Sequence, residues 1–160
     1  MVSAFEGHSE QYRPLGSYLA LAGAFNALVA TGLVAASRAG RLPERVRADD
    51  LALGAVATYK VSRLVAKDRV TSGIRAPFTR FQEDSGHGEV EEAARGKGLR
   101  RAVGELLVCP NCLAQWVAAG FTAGFVAAPR TTRAIAAMFT LYAGADLLQL
   151  AHGEVKDKVG

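Results

Sequence analysis

The sequence predicts an all-α fold, a small integral membrane bundle of three to four transmembrane helices. Two observations lead to this class. Apolar residues make up 50% of the 160-residue chain, and they are concentrated in long Ala-, Leu-, Val- and Gly-rich runs separated by arginine-rich segments. The first run carries no charge over a length sufficient to cross a bilayer. A chain of this length holds about one domain, so residues 1–160 are expected to form a single membrane domain.

The charge and cysteine content narrow the class further. The formal net charge is +4, and together with the apolar runs it favours an anionic lipid bilayer over nucleic acid, for which no binding motif is present. The expected partners are therefore lipids with anionic headgroups, other membrane proteins or a second copy of the chain. Two cysteines alone do not resemble the framework of a disulfide-rich secreted domain.

The first predicted helix covers residues 15–36 and is followed by a basic link containing Arg38, Gly40 and Pro43. The run exceeds the length of a signal-peptide core, so we expect it to be a retained anchor. A second helix is predicted over residues 50–67, with Asp49 and Asp50 as its N-terminal caps, because carboxylates there accept the free backbone N–H groups.

Residues 68–104 are predicted to be a cytoplasmic loop. Its first part mixes aromatic and cationic side chains, which is typical of a membrane interface, and residues 82–98 are polar without an apolar period, which indicates a mobile segment. The predicted interfacial residues are Arg75, Phe78, Arg80, Phe81 and, further along the chain, Trp116. His8 and His87 lie in polar stretches and are expected at the surface.

Two more helices are predicted over residues 106–128 and 134–151. Pro110 is expected to mark the helix start near the first cysteine, since proline is favoured at the first helical position. Gly120 and Gly124 form a G-x-x-x-G motif, which permits close helix packing either within the fold or between copies of the chain.

Four charged residues fall within or beside the apolar helices: Lys60, Arg63, Glu105 and Asp146. A lone charge at the bilayer centre costs about 3 kcal/mol, so these groups are expected to pair with one another or to face water. A structural ion pair that fixes helix register is the simpler interpretation, and a proton or ion path is the alternative.

Cys109 and Cys112 lie one turn apart at a predicted helix N-terminus, where the helix dipole favours the thiolate. They could serve in dithiol exchange, or bind zinc with His152, Asp146 or a partner chain as further ligands. The alternative is that both cysteines pack in the bundle near Trp116.

The distribution of Lys and Arg gives the orientation. Counting basic residues favours three crossings, whereas the length and apolar start of the second helix favour four, and four are preferred. Both topologies put Cys109 and Cys112 at the cytoplasmic end of their helix, where they are expected to be reduced.

The segment DRVTSGIRAP at residues 68–77 and the later CPNCLAQW at 109–116 resemble a family of small bacterial integral membrane proteins of unknown function, one member of which is described as a sporulation membrane protein. The resemblance covers about residues 50–152. It depends on Arg63, Asp68, Arg75, Pro77, Cys109, Cys112 and Trp116. It implies a membrane location but no known activity, and the first helix and the long polar segment are where this chain differs.

The expected function is that of a multi-pass protein of the bacterial cytoplasmic (inner) membrane, a non-catalytic scaffold or accessory subunit of an envelope complex rather than an enzyme. The alternative is a membrane thiol-redox or metal-binding protein that uses the C-P-N-C motif. A small proton-coupled carrier dependent on Asp146 ranks third.

Overall fold

The computed structural model describes residues 9–159, with side chains described through residue 156. This part of the chain is mostly helical and contains one antiparallel hairpin. Its elements are α1 (Leu15–Arg38), α2 (Ala48–Lys67), a 3₁₀ turn (Arg69–Thr71), α3 (Ser72–Arg75), β1 (Thr79–Gly86), β2 (Glu89–Ala94), α4 (Gly98–Val108), α5 (Pro110–Ala127) and α6 (Pro129–Val159).

The hairpin of β1 and β2 lies within the segment predicted to be a loop. The predictions of a purely all-α fold and of a mobile segment over residues 82–98 are therefore wrong. The strands turn through Gly86, His87 and Gly88, which have φ angles of 79°, 49° and 79°, a conformation that glycine adopts without steric cost. In β2 the fully buried apolar side chain is Val90. The strand therefore lacks the regular alternation of apolar and polar residues by which a strand is recognised in a sequence.

The predicted helix over residues 106–128 is two helices. α4 and α5 meet at Cys109 with a bend of 85°. Pro110 disfavours the helical conformation of the preceding residue, and Cys109 is extended with φ −104° and ψ 101°. The prediction that Pro110 begins a helix is confirmed.

Among the described residues, two helices are long and apolar enough to cross a membrane: α1, and α6 from Pro129 to Lys156. The bent pair of α4 and α5 is a third candidate if it is read as one span. These helices are consistent with a membrane protein.

α2 packs against both α5 and α6, and it buries small residues such as Ala57, Ser62 and Ala66. By contrast, α1 contacts α4 and α5 without burying any of its residues. The second helix begins at Ala48, so Asp49 and Asp50 lie in its first turn and are not its caps. Asp50 instead accepts two hydrogen bonds of 2.7 Å from Arg133 of α6.

The bundle has two polar ends. We call the first the hairpin end. Here the segment before α1 meets the start of α4, and the Gly98 N–H donates a hydrogen bond to the Tyr12 hydroxyl at 3.0 Å. At the second, called the link end, the α1–α2 link and the α5–α6 turn lie near Asp50 and Arg133. α4 packs closely against the hairpin at Gly104, where an added Cβ would lie 2.5 Å from the Phe78 carbonyl oxygen.

Candidate functional site

Arg75 lies at the centre of the hairpin end and is fully buried. Its guanidinium donates to the Val65 carbonyl at 2.7 Å and to the Asp68 carbonyl at 3.1 Å, two groups at the C-terminal end of α2. It also donates to the hydroxyl groups of Thr71 and Ser72 at 2.7 and 3.1 Å. Arg75 is therefore not a solvated anchor, because its donors are satisfied inside the protein. Its position at a membrane interface stays a prediction.

Glu92 of β2 is the acidic partner of this arginine. Its carboxylate accepts hydrogen bonds of 3.1 and 3.0 Å from Arg75 and one of 2.5 Å from the Thr79 hydroxyl. Burial alone would raise the pKa of Glu92, but the hydrogen bonds from Arg75, Thr79 and Ser72 hold that pKa below its ordinary value. The pair fastens the second strand to the end of α2.

Two further ion pairs join α2 to the same strand. Arg63 donates to Glu89 through two hydrogen bonds of 2.7 Å, and the Lys67 ammonium donates to both oxygens of Glu91 at 2.8 and 2.7 Å. The spacing explains the match. Four residues of helix rise about 6 Å, and two residues of strand rise about 6.6 Å, so cations at i and i+4 face acids at j and j+2. We call Arg63–Glu89, Lys67–Glu91 and Arg75–Glu92 the bracing pairs.

Lys60 forms an ion pair with Asp146 of α6. Lys60 is only 4% exposed, and its ammonium also lies 3.8 Å from the centre of the Tyr142 ring. The pair therefore joins α2 to α6.

The other predicted member of this charge cluster, Glu105, lies elsewhere. It accepts a 2.9 Å hydrogen bond from Arg101 and one from the Tyr18 hydroxyl of α1. The four charges therefore do not form one cluster, because Arg63 and Glu105 each find a nearer partner at the hairpin end.

Asp68 follows α2 and borders the Lys60–Asp146 pair. Burial raises the pKa of its carboxyl group, and Lys60 acts in the opposite direction. Glu89 and Asp146 also raise this pKa, since they are negative charges nearby.

Cys109 and Cys112 are joined by a disulfide, with their Cα atoms 5.3 Å apart. The structure thus differs from the predicted pair of reduced thiols, because one turn of helix brings the two cysteines within disulfide range. Cys112 also lines a cavity of about 490 Å³ between α1, α4 and α5. Tyr18 and Glu105 line the same cavity.

The proposed zinc ligands do not come together in the described part of the chain, where no three His, Cys, Asp or Glu side chains converge on one point. Asp146 is held by Lys60, and His152 is exposed near the end of α6. A zinc site on the two cysteines would need the disulfide to be reduced and further ligands to come from a partner chain. His87 is exposed, and His8 lies outside the described residues.

The two glycines of the G-x-x-x-G motif differ. An added Cβ at Gly124 would lie 2.6 Å from the Thr132 hydroxyl of α6, whereas Gly120 faces open space. Gly124 therefore serves packing between α5 and α6. Gly120 has room for a larger side chain.

The remaining predicted interfacial residues are less buried than Arg75. Arg80 and Phe81 are exposed, and Phe78 is half-buried. Trp116 is half-buried and meets Phe25 of α1 edge-on, with ring centres 5.1 Å apart. Trp116 thus joins α5 to α1 in the structure.

A family model described as a protein of unknown function (DUF1360) matches residues 53–152. The chain belongs to this family. An uncharacterised family is what the resemblance implied. No curated protein and no solved structure matches the chain. The DUF1360 region runs from α2 to α6 and contains the three bracing pairs, the Lys60–Asp146 pair and the disulfide, while α1 lies before it.

The sequence reasoning missed the acidic halves of the bracing pairs: Glu89, Glu91 and Glu92. They lie in the segment that was predicted to be mobile. The signal that could have found them is the matched spacing of Arg63 and Lys67 with Glu89 and Glu91.

Proposed function

We propose that this DUF1360 protein is a non-catalytic, multi-pass protein of the bacterial cytoplasmic membrane, and that it serves as a structural or accessory subunit of an envelope complex. The observation that best supports the proposal is how the charges are used. In the described part of the DUF1360 region, the bracing pairs engage the cations at the end of α2 and the acids of β2. Charges that are paired with one another in this way favour a structural role over a catalytic one.

In the proposed arrangement α1, α2, α5 and α6 cross the membrane, and α4 lies along its surface beside the hairpin. The polar character of α2 is compatible with this arrangement, since Lys60 is neutralised by Asp146 and Arg63 by Glu89. More Lys and Arg residues lie at the hairpin end than at the link end, which favours a cytoplasmic hairpin.

The surface proposed for a partner is α1. This helix is uncharged from Leu15 to Ser37, buries none of its residues and precedes the DUF1360 region. A helix that contributes little to its own bundle is available to pack against another membrane protein or a second copy.

Photo-crosslinking in native membranes tests this proposal. In the test variant, a photo-crosslinking residue replaces Leu28 of α1, which is 65% exposed. In the control variant it replaces Leu141 of α6, which is 76% exposed. We expect a discrete protein adduct from position 28 and diffuse lipid labelling from position 141. An adduct of twice the chain's mass would assign the face to a second copy, and the absence of any adduct at either position would refute the subunit proposal.

The second candidate is a membrane thiol–disulfide protein, favoured by the disulfide and by the position of Cys112 on a cavity wall. In such a reaction a dithiol of the partner would be oxidised to a disulfide as Cys109–Cys112 is reduced to two thiols. Single Cys109→Ser and Cys112→Ser variants would then trap a mixed disulfide with the partner. If neither variant gives a reducible adduct in membranes, this candidate is excluded.

A further inference from the structure

A groove of about 670 Å³ opens at the link end of the bundle, between α2, α5 and the α1–α2 link. Its floor is apolar and includes Leu51, Phe121, Phe125 and Val126. Phe125 lies against Gly54, where an added Cβ would be 3.1 Å from the ring, so the absence of a side chain at Gly54 admits this floor residue.

Arginines form the rim of the same groove. Arg41, Arg45, Arg47 and Arg133 all line it. Arg133 is neutralised by Asp50, and Arg47 by Asp49, which accepts hydrogen bonds of 3.0 and 2.6 Å from it. We call this feature the basic groove.

Arg41 and Arg45 are the rim cations that have no acidic partner within the described part of the chain. Among the described residues, no acidic side chain forms an ion pair with either of them. Glu44 lies between them in sequence but does not line the basic groove. As far as residues 9–156 show, the groove therefore has two uncompensated guanidinium groups above an apolar floor.

We propose that the basic groove binds an anionic phospholipid, with its phosphate at Arg41 and Arg45 and an acyl chain along the floor. Guanidinium groups are well suited to phosphate, since they donate two parallel hydrogen bonds and keep their charge. A free phosphate ion would leave the aromatic floor unused, whereas a lipid covers it with hydrocarbon.

The location of the groove supports a lipid as well. α1 ends at Arg38, α2 begins at Ala48, and α5 gives way to α6 at Pro129. In the membrane arrangement under Proposed function, on which this inference rests, that level is the headgroup region, and Gly54 and Phe121 lie more than one helical turn deeper. A headgroup at the rim and an acyl chain at the floor match this order.

The test uses the purified full chain in mild detergent, with retained lipid counted by native mass spectrometry. The probes are phosphatidylglycerol, phosphatidylcholine with the same acyl chains, and inorganic phosphate. We expect phosphatidylglycerol to bind on the order of tenfold more tightly than phosphatidylcholine, and inorganic phosphate not to displace it. In an Arg41→Gln/Arg45→Gln variant that preference should disappear, since two cations that contribute about fivefold each are sufficient to account for all of it.

The matched control is Arg38→Gln/Arg130→Gln, which removes two exposed arginines from the same end of the bundle without touching the groove. It should leave the preference unchanged. A Thr122→Trp variant, which fills the floor from an exposed lining position, should weaken both lipids.

Three results would overturn the proposal: equal binding of the two lipids, an equal loss in the control variant, or displacement of the lipid by phosphate alone. The assay contains no other protein. Its failure is therefore distinct from a failure of the crosslinking experiment, which concerns α1.

Discussion

The guanidinium of Arg75 and the carboxylate of Glu92 are joined by two hydrogen bonds of 3.1 and 3.0 Å, and their side chains are 0% and 4% exposed. One side chain comes from α3 and the other from β2. Because Arg75 also binds the carbonyl groups of Val65 and Asp68, this pair connects the end of α2 to the hairpin. The conformation of the hairpin end therefore depends on it.

Replacing Arg75 with Met should destabilise the hairpin end by about 3–5 kcal/mol, because Glu92 would remain buried without its cation. Thermal unfolding in detergent and proteolysis of the hairpin would measure the loss. An Arg75→Met/Glu92→Leu double variant should be less destabilised than the single one, since no unpaired charge remains buried.

The control for this pair is Arg69→Gln, which breaks an ion pair with Asp84 in which the two side chains are 63% and 61% exposed. An exposed pair contributes at most about 1 kcal/mol, so little change is expected. Equal destabilisation by Arg69→Gln and Arg75→Met would contradict the central role of Arg75.

Acid should loosen the hairpin end. The hydrogen bond from Lys67 lowers the pKa of Glu91, and the bonds from Arg75 and Thr79 outweigh burial and lower that of Glu92. Both carboxylates bind protons less readily in the folded than in the unfolded chain, so their stabilisation is present above the ordinary pKa of 4.5 and is lost as the pH falls below it. Thermal unfolding between pH 7 and lower pH should show this loss, and a Glu91→Gln/Glu92→Gln variant should show less of it.

Asp68 provides a control of opposite sign. Burial raises the pKa of its carboxyl group, so the folded chain binds this proton more readily and the charged form costs stability above the ordinary pKa. An Asp68→Asn variant should be more stable than the native chain at pH 7, and the difference should vanish in acid. A less stable Asp68→Asn variant at pH 7 would contradict this sign.

The helices were predictable because their sequences carry long apolar runs. Residues 15–36 and 50–67 were predicted, and α1 and α2 are Leu15–Arg38 and Ala48–Lys67. The bend at Cys109 was not predicted, although Pro110 was recognised as a helix start, because hydropathy alone does not distinguish a straight helix from a broken one.

The hairpin was missed for a different reason. Its second strand is joined to α2 and α3 by ion pairs rather than by a wide apolar face, and the partners Arg63 and Glu89 are 26 residues apart in sequence. Pairing across that distance depends on tertiary contacts, which a local pattern does not contain. The same cause explains Arg75, for which the local composition predicted a membrane-interface position although the fold surrounds its guanidinium with acceptors.

Glycine at position 104 should be necessary for hairpin docking. A Gly104→Val variant would place atoms within about 3 Å of the Phe78 carbonyl and the Ala94 side chain, and overpacking of this kind costs about 1–3 kcal/mol. Gly120→Val is the matched helical control, since that position faces open space. Proteolysis of the hairpin should accelerate in the first variant alone. If both variants behave alike, close packing at Gly104 is not what holds α4 to the hairpin.

Breaking the Lys60–Asp146 pair should affect membrane assembly more than replacing it entirely. Lys60→Met leaves Asp146 without its cation, and Asp146→Leu leaves a buried ammonium beside Tyr142. Each single variant should lose about 3 kcal/mol of stability, whereas Lys60→Met/Asp146→Leu should recover most of it, because apolar side chains replace both charges. The amount of folded protein extracted from membranes measures this difference. If the double variant folds as poorly as either single variant, the charged groups themselves are required. That result would favour an ionic role for Asp146 over a structural one.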